Sequence, residues 1–227
     1  NVGNASAILE SIDTTNPSTV AITTSDVTTN NTTQAIAGTA EAGSTVEVLS
    51  GSTVVATTTA NASGAWAATV ELSSTATLTA KSTDAAGNVT TGGSVTVTID
   101  QVAPDAPVIT SISTPNSDTT PTISVTAEAN STVTIYANGE LLGTATEGGD
   151  AGGGNSNFSF TVANSDALPD GNYRITATAT DGVGNVSADA TVQDIVIDGT
   201  APTAPVITAI STDTGTVGDK ITSDTTL

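Results

Sequence analysis

The chain has 227 residues and a net charge of −20, from 23 acids against Lys81, Arg174 and Lys220. With so few cations to displace counterions, nucleic acid and anionic membrane surfaces are poor partners. Cys, His and Met are absent, which removes disulfides, thiolate and imidazole metal sites, and the usual nucleophile–base pairs of enzymes. The 37% apolar fraction and only 11% charged residues argue against an acidic disordered chain. No apolar run is long enough to span a bilayer, and no basic–apolar leader opens the sequence.

Reading from the N-terminus, Val2-Gly3-Asn4-Ala5-Ser6 returns as Ala86-Gly87-Asn88-Val89-Thr90 and Val183-Gly184-Asn185-Val186-Ser187, each time shortly before an Ile-Asp pair. Residues 1–12 therefore read as the last strand of a truncated preceding repeat. Ile12-Asp13-Thr14-Thr15-Asn16-Pro17 recurs as Ile99-Asp100-Gln101-Val102-Ala103-Pro104 and as Ile197-Asp198-Gly199-Thr200-Ala201-Pro202. A domain-sized period punctuated by an Asp-to-Pro linker marks a tandem array. Residues 13–99 and 100–197 are expected to be complete domains. Ala204-Pro205-Val206-Ile207-Thr208 copies Ala106-Pro107-Val108-Ile109-Thr110, so 198–227 is expected to begin another repeat, and the chain to be part of something longer.

Within a repeat, Thr and Val alternate with period two, as in Thr132-Val133-Thr134-Ile135-Tyr136, which suits a half-buried pleated surface. Turn signals such as Ala42-Gly43-Ser44, Asn61-Ala62-Ser63-Gly64, Asn138-Gly139 and Asp170-Gly171-Asn172 interrupt these runs. The first complete repeat reads as strands A 20–24, B 33–40, C 45–50, D 53–59, E 65–71, F 76–83 and G 93–99. The second reads as A 107–112, B 121–128, C 132–137, D 140–146, E 157–163, F 172–180 and G 189–197. About seven short antiparallel strands per repeat predict an all-β fold of tandem Ig-like β-sandwiches forming an elongated rod. Trp66 and Phe158 fall at equivalent points of strand E and are expected to plug the two cores. Tyr173 opens strand F, where Ig folds place a corner tyrosine. The run Glu147-Gly148-Gly149-Asp150-Ala151-Gly152-Gly153-Gly154 lacks the context of a phosphate loop and reads as a floppy D–E insertion.

In an odd-stranded, up-and-down sandwich the linker, the B–C loop and the F–G loop share the entry end. Three acids from separate stretches then meet at each joint: Asp13, Glu41 and Asp84 at the first, Asp100, Glu128 and Asp181 at the second. Such crowding is repulsive without a cation. All-oxygen donors, helped by Asn88 or Asn185, select a hard ion, and Ca2+ accepts six to eight oxygens in adaptable geometry where Mg2+ demands a tight octahedron. Asp105 is placed to assist at the second joint, and Asp198 opens the third. The alternative is that each Asp-x-x-Gly-Asn acid only closes its own turn. A second group, Asp213, Asp219 and Asp224, reads as solvated acids of an A–B loop.

The phrases Gly-Thr-Ala-Glu-Ala-Gly-Ser-Thr-Val (38–46), Thr-Asp-Ala-Ala-Gly-Asn-Val-Thr (83–90) and Ile-Asp-Gly-Thr-Ala-Pro-Thr-Ala-Pro (197–205) resemble bacterial Ig-like repeats of giant, biofilm-associated-protein-like adhesins. The resemblance covers essentially the whole chain. Asn16 before Pro17 and Gln101-Val102 depart from the family pattern but spare the linker acid. The resemblance implies type I secretion, folding at the extracellular bacterial surface, and Ca2+ at domain junctions, here Asp13, Glu41 and Asp84, then Asp100, Glu128 and Asp181.

The expected function is thus a calcium-stabilised stalk that extends a distal binding domain for cell adhesion or biofilm formation. Its expected partners are neighbouring repeats of the same chain, with host, surface or self contacts made through absent domains. Two alternatives stand beside it: a glycan- or protein-binding module, which exposed Tyr136 and Trp66 side by side would support, and a subunit of an extracellular filament or surface layer. Catalysis is not expected.

Overall fold

The computed structural model describes residues 12–109, 112 and 117–206. In the first repeat these form β1 (Ala21–Ile22), β2 (Val27–Thr29), β3 (Thr33–Thr39), β4 (Thr45–Ser50), β5 (Thr53–Thr59), β6 (Ala65–Glu71), β7 (Ala76–Thr83) and β8 (Val89–Ile99). One sheet has the order β1-β3-β6 and the other β2-β8-β7-β4-β5. The second repeat contains β9 (Val108–Ile109), β10 (Thr122–Glu128), β11 (Thr132–Ala137), β12 (Glu140–Thr144), β13 (Thr146–Gly152), β14 (Asn155–Thr161), β15 (Gly171–Thr180) and β16 (Gln193–Ile197). Its sheets run β13-β14-β10-β9 and β12-β11-β15-β16. A 3-10 turn at Asn164–Asp166 is the sole helical element among the described residues.

The alternation read in the sequence becomes burial. Val46 and Val48 of β4, Leu78 and Ala80 of β7, and Val95 and Val97 of β8 are sealed, and the intervening Glu47, Thr79 and Thr96 are only half-buried on the other face. Each fully buried Val or Leu contributes about 1.5–3 kcal/mol. Two separate apolar cores result, one per repeat. Trp66 and Phe158 lie in them as equivalent plugs: Trp66 pairs with Gly38 across β3–β6, and Phe158 with Val125 across β10–β14. The larger ring faces the residue without a side chain, so the pair conserves volume. Trp66 Nε1 is buried with no hydrogen-bond partner. Tyr173 donates its hydroxyl to the carbonyl of Pro169 at 3.0 Å, forming the expected corner.

Three expectations are corrected. The sandwich is not up-and-down. β3 pairs β6, and β4 pairs β7 and β5, so the chain crosses between sheets after β3, after β5 and again after β6, as in a Greek key. The first strand is also divided: β1 pairs β3, then the chain crosses and β2 pairs β8 in parallel. That parallel pair shows first and last strands running the same way, so this domain is entered and left at opposite ends. Finally, the glycine-rich run is no floppy loop. As β13 it pairs with β14 through two irregular register shifts and turns at 152–155, where Gly152, Gly153 and Gly154 supply positive φ. β12 and β13 form one strand that changes sheets at buried Ala145, and β13 covers an edge that the first repeat leaves open. The stub strand expected in 1–12 falls mainly in residues 1–11, outside the described residues, as do Asp213, Asp219 and Asp224.

Candidate functional site

The joints are built by three short motifs. In the B–C turn the chain must reverse tightly, and Gly43 (φ 82°) and Asn130 (φ 64°) take the left-handed position in the two repeats. Ser44 Oγ donates to the Glu41 carbonyl at 2.7 Å and Ser131 Oγ to that of Glu128 at 2.6 Å, so each glutamate stands at the root of a braced turn.

In the F–G loop the aspartate closes its own turn. Asp84 Oδ1 accepts the amides of Ala86 and Asn88, both at 2.9 Å, and Asp181 Oδ1 accepts those of Val183, Gly184 and Asn185 at 2.7–2.9 Å. The other carboxylate oxygen accepts the side-chain amide of Asn88 or Asn185 at 2.8 Å. The Asn88 amide lowers the Asp84 pKa most, and the loop amides add to the effect. At Asp181 partial desolvation pushes upward, and the Asn185 bonds with the other loop amides outweigh it, so the net shift is downward.

The asparagine then reaches the linker. Asn88 Nδ2 donates to the carbonyl of Asp13 at 3.2 Å, and Asn185 Nδ2 to those of Asp100 at 3.0 Å and Val102 at 3.3 Å. The linker aspartates cap the next residues: Asp13 Oδ1 accepts the Thr15 amide, Asp100 Oδ1 that of Val102, and Asp198 Oδ1 that of Thr200. The side-chain amide nitrogens of Asn88 and Asn185 staple linker to loop, a role that the Asp-x-x-Gly-Asn spacing carries in both repeats.

The two joints differ in how free their acids are. At the first, Glu41 Oε2 accepts the Ser18 amide at 2.9 Å and Thr90 Oγ1 donates to the Pro17 carbonyl at 2.7 Å. At the second, Asp100, Glu128 and Asp181 line one concavity of roughly 350 Å3 together with Val102, Asn130 and Ser131. Asp105 is not among the lining residues. Neither Glu128 carboxylate oxygen accepts a hydrogen bond among the described residues. Glu147, which the sequence reading left in the insertion, stands beside this joint. Its Oε1 accepts the Asn130 amide at 3.0 Å, and that bond, with one from Ser156, holds its pKa down. Only the pairing of β13 brings it there. Asn30 of the first domain reaches the same loop, its amide 3.4 Å from where a Cβ on Gly184 would lie.

The donor chemistry at the second joint suits a hard cation, because Asp100, Glu128 and Asp181 present carboxylate oxygens and Glu128 is uncommitted. Among the described residues, however, no three acids stand close enough to hold one ion as they are. Trp66 is buried in the first core, while Tyr136 sits on β11 of the other domain, so the two form no common aromatic platform.

Sequence comparison decides the family. A family model described as "Bacterial Ig-like domain" matches residues 7–101 and 113–199. The chain belongs to the bacterial Ig-like domain family. Among curated protein sequences none matches significantly. Similar solved structures include a biofilm-associated protein, BSP domain (24% identity, TM-score 0.32, covering 82% of this chain and 30% of that one). Another is from a 1.5-MDa bacterial ice-binding adhesin (23% identity, TM-score 0.38, covering 78% and 62%). A third is the tetra-tandem repeat in the extending region of a large adhesion protein (24% identity, TM-score 0.29, covering 80% and 49%). The bacterial Ig-like chain thus spans less than two thirds of each of these structures. No helix among its described residues is long and apolar enough to cross a membrane.

Proposed function

We propose that this pair of bacterial Ig-like domains is a non-catalytic spacer of a surface adhesin, extending a distal binding domain from the cell, with Ca2+ stiffening its joints. The observation that carries the reading is the way each linker is built into the following domain. Asn88 and Asn185 bind linker carbonyls, and at the second joint Asp100, Glu128 and Asp181 line one concavity. A module that transmits position along a rod needs such joints, whereas a module that recognises a ligand does not.

Asp100, Glu128 and Asp181 would hold the ion at the second joint, and Asp13, Glu41 and Asp84 at the first. The second is the better candidate, because Glu41 already serves the Ser18 amide. Bound Ca2+ would supply charge neutralisation and a bridge between linker and loops. With free Ca2+ at about ten times Kd, each site adds about 1.4 kcal/mol of stability. An exported protein gains from this dependence: the carboxylates stay unpaired in calcium-poor cytosol and are bridged outside.

Calorimetric titration of the intact chain with CaCl2 tests the reading, with Glu128→Gln and Asp100→Asn as controls. Uptake that either substitution abolishes supports it. Absence of heat at millimolar Ca2+, together with identical X-ray scattering in calcium and in chelator, refutes the calcium-stiffened spacer.

A further inference from the structure

The exit linker of the second domain is held differently from its entry linker. Asp170, in the loop between β14 and β15, accepts the Gly199 amide on Oδ1 at 2.7 Å and the Thr200 hydroxyl on Oδ2. Its loop is pinned on both sides. Leu168, buried, donates its amide to the Thr119 carbonyl at 2.8 Å, and the Tyr173 hydroxyl holds the Pro169 carbonyl. Gly199 lies close against this end of the domain: a Cβ there would sit 3.4 Å from Asp170 Oδ1 and 3.7 Å from both the Ser117 carbonyl oxygen and Thr119 Cγ2.

The first domain has neither half of this arrangement. Matching Ala76 to Tyr173 through their partners on β8 and β16 puts Ser73 where Asp170 stands. Linker alignment puts Gln101 and Val102 where Gly199 and Thr200 stand. Acceptor and hydroxyl are absent together. Val102 serves the opposite side, giving its carbonyl to Asn185 of the following domain.

We propose that Asp170 is a positioning residue that latches linker residues 199–200 to the preceding domain without a metal ion, shifting the hinge of this joint beyond Thr200. The 100–102 linker, by contrast, gives its Asp100 and Val102 carbonyls to Asn185 of the domain that follows, while the Asp100 amide stays bonded to the Thr29 carbonyl of the first domain, so this joint's hinge lies close to Asp100. The two linkers thus bend at different points, the first close to Asp100 and the second beyond Thr200, and the latch at the second needs no cation. The significance of the latch rests on the spacer reading, but its geometry does not. The lowered pKa of Asp170, caused first by the Thr200 hydroxyl and then by the Gly199 amide, agrees with a charged acceptor held in place.

Amide exchange of the full 227-residue chain, followed by NMR with chelator present, tests this. The expected result is a Gly199 amide that exchanges at least about tenfold more slowly than an open linker amide. Asp170→Ala should abolish the protection and Thr200→Val should reduce it. Ser73→Asp combined with Val102→Thr should create protection at Gln101. Should Asp170→Ala disturb the second domain's melting, Thr200→Val and the graft still decide the matter. A Gly199 amide exchanging freely in the unsubstituted chain, or one indifferent to both Asp170→Ala and Thr200→Val, overturns the latch. A calorimetric blank with Gly199 still protected removes calcium and leaves the latch standing.

Discussion

Gly38→Ala is expected to destabilise the first domain far more than a single methyl group suggests. The added Cβ would lie 1.9 Å from the Ala21 carbonyl oxygen and 2.5 and 2.7 Å from Trp66 Cζ2 and Cε2, where ordinary contact begins at 3.4 Å. Neither wall yields easily, since one is backbone and the other is an indole with 3% exposure. The cheapest escape moves β1, a two-residue strand, and that movement strains the Thr23 and Thr24 bonds to Ala37 of β3 and lifts fully buried Val20 from the core. Overpacking at about 1–3 kcal/mol, with part of the 1.5–3 kcal/mol for burying a Val, gives a loss of about 3 kcal/mol. For a domain of this size that is a fall of roughly 10–20 °C in Tm. Trp66 is the chain's one tryptophan, so its fluorescence follows the melting of this domain alone. The second domain suggests a partial remedy. Gly38→Ala with Trp66→Phe removes only the indole wall and the partnerless N–H, leaving the Ala21 carbonyl in place, so it should recover part of the loss, read by circular dichroism because the tryptophan is gone. A Gly38→Ala protein melting within about 2 °C of the parent would refute the packing argument.

Asn185→Ala should free the Asp100 and Val102 carbonyls, raising amide exchange across 100–103 while leaving β10 and β15 protected; an unchanged linker counts against the staple. Acid should weaken both domains in a defined window. Asp84 and Asp181 have folded pKa values below the unfolded one, so the unfolded chain binds more protons as pH falls. Their contribution is complete above the unfolded value of about 3.9 and drains as pH drops through the lower folded values, so melting curves between about pH 5 and 2 should flatten in Asp84→Asn. Lys81 faces Glu47 directly across β4–β7 at 2.6 Å with both side chains partly exposed. Lys81→Ala should therefore cost no more than about 1 kcal/mol, and less in high salt, by denaturant titration.

Strand positions were legible because Thr/Val alternation and Gly/Asn turns act locally. β3 to β7 and β10 to β12 begin and end within a residue or two of where the alternation placed them. The core plugs were legible too, since Trp66 and Phe158 fall at the same distance from repeated landmarks. β13 was not, because glycines carry no side-chain pattern and its pairing comes from the vacant edge of β14. Likewise, the division of the first strand follows from β8 offering β2 a parallel partner. The joint acids recur at the same places in both repeats, and Asp100, Glu128 and Asp181 line one concavity without standing close enough to hold one ion as they are.

Local chemistry alone thus determined that this is an array of β-sandwiches with acids and asparagines at its joints, since period-two burial and turn formation need only neighbours in the chain. Sheet order, the conversion of Asn88 and Asn185 into linker staples, and the meeting of Asp170 with Thr200 were decided only in three dimensions. Each depends on loops brought together by a crossing between sheets, which no stretch of sequence encodes by itself.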